Sequence, residues 1–166
     1  MKDVAFDIEM LSSHDRTGFD CGVPELDNYL KTRATQDMKR RVASCFVAFE
    51  KQQLTIGGFY TLSACHLLLA DISNPMRKAL PLYPEVPAIR VGRLAVDHKF
   101  RGKGVGSLLL ADAIRRSLKL EIGAALMLVD AKNEDAANFY RHFGFEALPG
   151  KPLQLAAALK SFIRFA

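Results

Sequence analysis

The stretch Arg101-Gly102-Lys103-Gly104-Val105-Gly106-Ser107 sits between a strand-like segment and a helix-like one. Backbone amides at a helix start lack partners, and the helix dipole favours negative charge there. Glycine lets a phosphate approach that backbone closely. Glycines at alternate positions, with Arg101 and Lys103 adding charge, therefore read as a cradle for a pyrophosphate, whereas one glycine would suit a plain tight turn. The Walker pattern GxxxxGK[ST] is absent. Gly102 to Gly106 spells GxGxG, one residue short of the dinucleotide pattern GxGxxG.

Other residues could move protons. Tyr140 stands beside Phe139 and near Phe143, where residue pattern alone makes it a packed aromatic. Asp130, His98, His142 and Glu85 could each act as a base, and no pattern singles one out. Cys21, Cys45 and Cys65 show neither CxxC nor CxxH spacing, which argues against a disulfide framework or a zinc site and for a reducing, cytoplasmic location. The net charge of +5 suits a polyanionic partner, and equally a surface that is merely soluble. No apolar run is long enough for a signal peptide or a membrane span.

The elements that must position these residues alternate along 166 residues, a length that fits one domain spanning the chain. No internal repeat or low-complexity linker interrupts them. A strand is expected at 3–9 and a helix opening at Pro24, with acids in its first turn. Residues 44–50 and 54–64 read as a hairpin turned at Lys51-Gln52-Gln53. The proline-rich stretch 71–88 reads as an irregular excursion with a short helix around Pro75–Leu80. A strand at 89–97, the glycine loop, a helix from Val105 to Lys119, a strand at 125–130 and a helix at 134–142 follow. A last hairpin is expected from 145–148 and 153–157, with the tail open between strand and helix. The class is α/β with a mixed sheet.

Two motifs carry a resemblance. Arg101-Gly102-Lys103-Gly104-Val105-Gly106 is similar to [QR]xxGx[GA], the pyrophosphate loop of the GNAT N-acetyltransferase superfamily. Downstream, Asn133-Glu134-Asp135-Ala136-Ala137-Asn138-Phe139-Tyr140 and Phe143-Gly144-Phe145 resemble that superfamily's NxxAxxxYxxxGF element. Within it, Phe19-Asp20-Cys21-Gly22, Leu26-Asp27-Asn28-Tyr29-Leu30, Gly58-Phe59-Tyr60-Thr61-Leu62-Ser63, Pro87-Ala88 and Gly92-Arg93-Leu94-Ala95-Val96-Asp97 look like the TacT/AtaT class of toxins. The C-terminal strand departs: a proline-containing LPL is expected where this chain reads Gln154-Leu155-Ala156-Ala157-Ala158.

The resemblance implies a GNAT fold, a V-splayed mixed β-sheet flanked by helices. It implies acetyl-CoA as co-substrate and no metal. The pyrophosphate would lie on Arg101, Gly102, Lys103, Gly104, Val105, Gly106 and Ser107. The pantetheine would pair with Leu94, Ala95 and Val96, whose amides would also polarise the carbonyl. Asn133, Ala136 and Phe139 would complete the cofactor contacts, and Tyr140 would be the acid for the departing thiolate. The implied acceptor is the α-amino group of aminoacyl-tRNA, so that translation stops. Lys31, Arg33, Lys39, Arg40, Arg41, Arg77, Lys78, Arg90 and Arg93 would meet its phosphates. A ribbon-helix-helix antitoxin and a homodimer are likewise implied. The alternatives are a small-amine or protein N-acetyltransferase on the same scaffold, and a non-enzymatic binding module.

Overall fold

The computed structural model describes residues 5–165. Its strands are β1 (Phe6–Met10), β2 (Ser44–Glu50), β3 (Thr55–Leu68), β4 (Glu85–Val96), β5 (Leu126–Asp130), β6 (Glu146–Leu148) and β7 (Lys151–Ala158). Its helices are α1 (Pro24–Thr32), α2 (Ala34–Lys39), α3 (Asn74–Arg77), α4 (Val105–Leu118) and α5 (Glu134–His142). The strands form one sheet in the order β1-β2-β3-β4-β5-β7-β6. It is mixed: β4 and β5 run parallel, while β1–β2, β2–β3, β5–β7 and β6–β7 are antiparallel. Contacts divide the chain into two compact units: residues up to Ser63 with Arg93–Ala113, and Ala64–Gly92 with Ile114 onward.

In the first unit, β1 pairs with β2 from Phe6↔Glu50 to Met10↔Phe46. Helix α1 opens on Pro24, with Glu25 and Asp27 in its first turn, and buries Tyr29 and Leu30. These join Phe19, Cys45, Val47, Ile56, Phe59 and Ala95 in one apolar core. Gly58 is needed there because a Cβ would stand 2.8 Å from the Ala95 carbonyl and from Leu109 Cδ1.

In the second unit, the β4–β5 ladder runs from Ala88↔Leu126 to Val91↔Val129 and stops, while β4 continues to Val96. Leu67, Ile72, Val86, Ala88, Leu126, Leu128, Leu148 and Ala156 form the core of this unit. The stretch from Leu69 to Pro84 is closed at its ends by the Leu69 amide donating to the Pro84 carbonyl.

Several expected boundaries shift. The first strand covers 6–10; positions 3 and 4 of the expected 3–9 lie outside the described residues. β3 extends to Leu68, and β4 begins at Glu85 inside the expected excursion. Proline signals obscured that start, yet Pro87 is exposed and precedes the first pair of the β4–β5 ladder at Ala88, so its missing N–H breaks no bond of that ladder. Helix α2 was not expected. Its six residues, ATQDMK, are too few to show a helical period; Ala34 is buried and Met38, one turn on, packs against the same core. The tail Leu159–Phe165 is a 3-10 helix.

Candidate functional site

In the first unit, the glycine loop is held from behind by one buried carboxylate. Asp97, 2% exposed, accepts the Lys99 amide at 2.9 Å and the Asp20 amide at 3.1 Å. Its own amide donates to the Gly57 carbonyl at 2.8 Å. The His98 amide donates to the Asp20 carbonyl, and Arg101 Nη2 donates to the Cys21 carbonyl at 2.7 Å. The turn at Asp20–Gly22 is thereby stitched to Asp97–Arg101, which explains why the FDCG element belongs with the loop motif.

Gly102 and Gly104 have φ of 75° and 77°, the left-handed region that favours glycine. Nothing lies within 4 Å of where a Cβ would stand at either position. The Leu108 amide closes the first helical hydrogen bond onto the Gly104 carbonyl. The amides before it are those a helix start leaves open. This open, glycine-lined end fits a pyrophosphate. Lys103 and Ser107 are exposed, Gly106 is half-buried, and Val105 is buried beneath the loop. Arg101, expected as a phosphate ligand, gives one guanidinium nitrogen to the Cys21 carbonyl, so its first task is to fix the loop. On β4, Ala95 is buried and Leu94 and Val96 are half-buried, past the end of the β5 ladder.

In the second unit, Asn133 caps α5, its side-chain oxygen accepting the Ala136 amide at 2.9 Å. Its expected cofactor contact therefore competes with capping. Ala136 and Phe139 are half-buried. Tyr140 is 3% exposed, with edge contacts to Phe139 at 5.2 Å and Phe145 at 5.9 Å between ring centroids. Burial pushes its phenol pKa well above the ordinary value, and the Asp130 carboxylate adds to the rise. Asp130 accepts Gln154 Nε2 at 3.0 Å and lies 3.0 Å from Arg90 Nε. That Arg90 nitrogen is buried and makes no aligned hydrogen bond, so the contact is an ion pair by distance alone.

Three other residues were expected as bases. His98 is exposed, with Nδ1 2.9 Å from the Asp20 carbonyl and 3.6–3.7 Å from the Asp97 and Asp20 carboxylates. His142 is exposed at the end of α5, and Glu85 faces His66 at 3.8 Å.

The basic set divides. Lys31, Arg33, Lys39, Arg40, Arg41 and Arg93 belong to the first unit, and Arg77, Lys78 and Arg90 to the second. The structure diverts two of them: Arg77 donates to the Ile72 and Ala70 carbonyls, and Arg90 faces Asp130. Lys31, Arg33, Lys39, Arg40, Arg41 and Lys78 are exposed. Arg93 lies 3.6 Å over the centre of the Tyr29 ring. Together with Arg33, Glu25, Leu26 and Asn28 these two line a hollow of about 290 Å3. Tyr29 stood out in the sequence only within the Leu26–Leu30 element, and nothing in its spacing signalled a cation on its ring. No group of three or more His, Cys, Asp or Glu among the described residues could hold a metal ion. None of the described helices is long and apolar enough to cross a membrane.

Residues 41–147 match the acetyltransferase (GNAT) domain family. The chain is 39% identical to a tRNA-acetylating toxin of Mycobacterium tuberculosis over 148 residues, 88% of this chain and 87% of that one. It is similar to the structure of AtaT complexed with acetyl-methionyl-tRNAfMet, with TM-score 0.87 and 29% identity over 97% of this chain and 99% of that chain. It is also similar to a tyrosine-to-phenylalanine mutant of the AtaT toxin bound to the C-terminus of the antitoxin AtaR and acetyl-CoA. Here the TM-score is 0.82 and the identity 26%, over 99% of each chain.

Proposed function

The chain belongs to the GNAT acetyltransferase family, and from that premise we propose that it transfers acetyl from acetyl-CoA to the α-amino group of an aminoacyl-tRNA and so halts translation. The observation that carries this reading is the likeness, along most of the chain, to a toxin that acetylates tRNA. The open glycine loop and the buried Tyr140 supply the two features that acetyl transfer needs.

Acetyl-CoA would bring an activated thioester, and Gly102–Ser107, with Lys103, would hold its pyrophosphate. Backbone amides of Leu94–Val96 would bind the carbonyl oxygen as it gains charge. Tyr140 stays neutral, because burial and Asp130 both resist its ionisation. Its hydroxyl can therefore donate to the sulfur as the C–S bond breaks. A thiol of pKa about 8.5 is far more acidic than this phenol, so Tyr140 cannot lose its proton to the thiolate at no cost. It acts by hydrogen bonding, while the proton lost by the attacking amine balances the one gained by sulfur.

No dedicated base is required. An α-amino group titrates near 7.7–8.0, whereas lysine titrates near 10.4. An aminoacyl ester is lower still, because the ester withdraws electrons.

The protein works as one catalytic domain in the cytoplasm, pairs with itself, and is neutralised by a ribbon-helix-helix antitoxin. Expression in growing cells tests the reading. Arrest of protein synthesis by the wild type, relieved by Tyr140→Phe, is expected; normal growth with soluble wild type present contradicts it.

A further inference from the structure

Other half-buried arginines in this protein have an oxygen beside them. Arg16 donates to the Leu30 and Ser12 carbonyls, Arg77 to Ile72 and Ala70, and Arg90 is ion-paired with Asp130 by distance. Arg93 is equally half-buried, yet its contact is the ring of Tyr29, 3.6 Å from the guanidinium carbon. Charges withdrawn from water are ordinarily paired. Arg33 lines the same hollow, so its walls carry two guanidiniums and one carboxylate, that of Glu25. The hollow's lining residues alone carry a net positive charge, with the Asp37 carboxylate held at the far end of the Tyr29 ring.

Its platform is rigid. The Tyr29 hydroxyl donates to Asp37 at 2.8 Å, which fixes the ring beneath Arg93. Guanidinium planes and aromatic rings are the surfaces on which proteins stack unpaired bases. The volume of about 290 Å3 falls just below the range of small-molecule sites, about 300–1,000 Å3, a size for a single nucleotide and not for a duplex stem. Glu25 and Asn28 offer acceptors to the amino edge of a base.

We propose that this hollow is a one-nucleotide subsite for the single-stranded acceptor end of the tRNA, the base stacking on the Arg93 guanidinium, which the buried Tyr29 ring backs, and the phosphate meeting Arg33. The proposal rests on the aminoacyl-tRNA reading above. It differs from a diffuse basic surface, because it requires a planar cation at position 93 and an unpaired base. The adenosine of acetyl-CoA has the same chemistry, so the test must separate the two sources.

The test compares wild type, Arg93→Ala and Arg93→Lys on full-length charged tRNA and on a short aminoacyl fragment ending in the same unpaired nucleotides. Folding is checked by circular dichroism, and the KM for acetyl-CoA is measured in parallel. Both variants should lose about 5- to 100-fold in kcat/KM on both substrates, the range for removing one stacked base, with the KM for acetyl-CoA unchanged. Several results overturn the subsite: activity restored by Arg93→Lys, a defect that vanishes on the fragment, or an equal rise in the KM for acetyl-CoA. An unfolded Arg93→Ala leaves Arg93→Lys to decide. Wild type that acetylates no charged tRNA removes the underlying reading. Wild type that does so, with Arg93 variants equally active, removes the subsite alone.

Discussion

The Asp130 carboxylate and the buried Tyr140 phenol are coupled: the negative charge adds to burial in keeping the phenol protonated. A tyrosine so placed has no alkaline limb of its own below pH 10, since its pKa lies above the ordinary value. The pH profile of kcat should therefore show no loss assignable to Tyr140 up to about pH 10. Tyr140→Phe, which removes one hydrogen-bond donor to the departing sulfur, should lower kcat by about 10²- to 10³-fold while leaving the KM for acetyl-CoA unchanged. Steady-state kinetics across pH measure both. A Tyr140→Phe variant that keeps wild-type kcat removes the tyrosine from the chemistry.

At Gly104 the backbone sits at φ 77° with open space around the missing side chain. Alanine there meets no clash, so the cost is backbone strain of about 1–2 kcal/mol, together with a methyl group in the space reserved for phosphate. Gly104→Ala should raise the KM for acetyl-CoA by about tenfold, with a smaller change in kcat. Isothermal titration with CoA provides a direct check, and unaltered affinity would place the pyrophosphate elsewhere.

The Asp97 carboxylate receives two backbone amides from its buried position. Asp97→Ala leaves both unpaired and should destabilise the fold by about 1–3 kcal/mol per orphaned donor. Asp97→Asn keeps one acceptor oxygen and should cost less. Urea denaturation of the three proteins distinguishes these values, and equal midpoints would remove the clamp.

The thiol of Cys45 is fully buried, and that burial pushes its pKa from 9.0 up to about 12. The folded chain holds this proton longer than the unfolded chain does. Its stabilising contribution is complete below pH 9 and is lost as pH rises from 9 toward 12. The Tm of the wild type should fall through that window. Cys45→Ala should fall less steeply, by about a few kcal/mol of stability over the range. Parallel slopes in thermal melts would show that the thiol contributes nothing.

Local signals made much of this molecule readable. The glycine loop and the Asn133–Phe145 element are short, contiguous and geometrically demanding, so sequence shows them directly. A continuous apolar run did the same for β2, and acids in the first turn for α5. Other features depend on residues far apart in the chain. Arg77 and Arg90 read as free cations because nothing local reveals that Ala70, Ile72 and Asp130 receive them. Arg101 read as a phosphate ligand, although its partner is the carbonyl of Cys21. The hollow at Tyr29 was invisible because a buried tyrosine on an apolar helix face looks like core until Arg93 is placed on its ring. Helix α2 is only six residues long, and β4 begins among prolines, so neither start stood out.

The central claim is that the acceptor is the amino group of a charged tRNA. Purified protein should be incubated with radiolabelled acetyl-CoA and either aminoacylated or deacylated tRNA, with Tyr140→Phe in parallel. Label on aminoacylated tRNA alone, and only with the wild type, is the predicted result. Label absent from charged tRNA, with acetyl-CoA bound normally and a small amine or peptide acetylated instead, would contradict it.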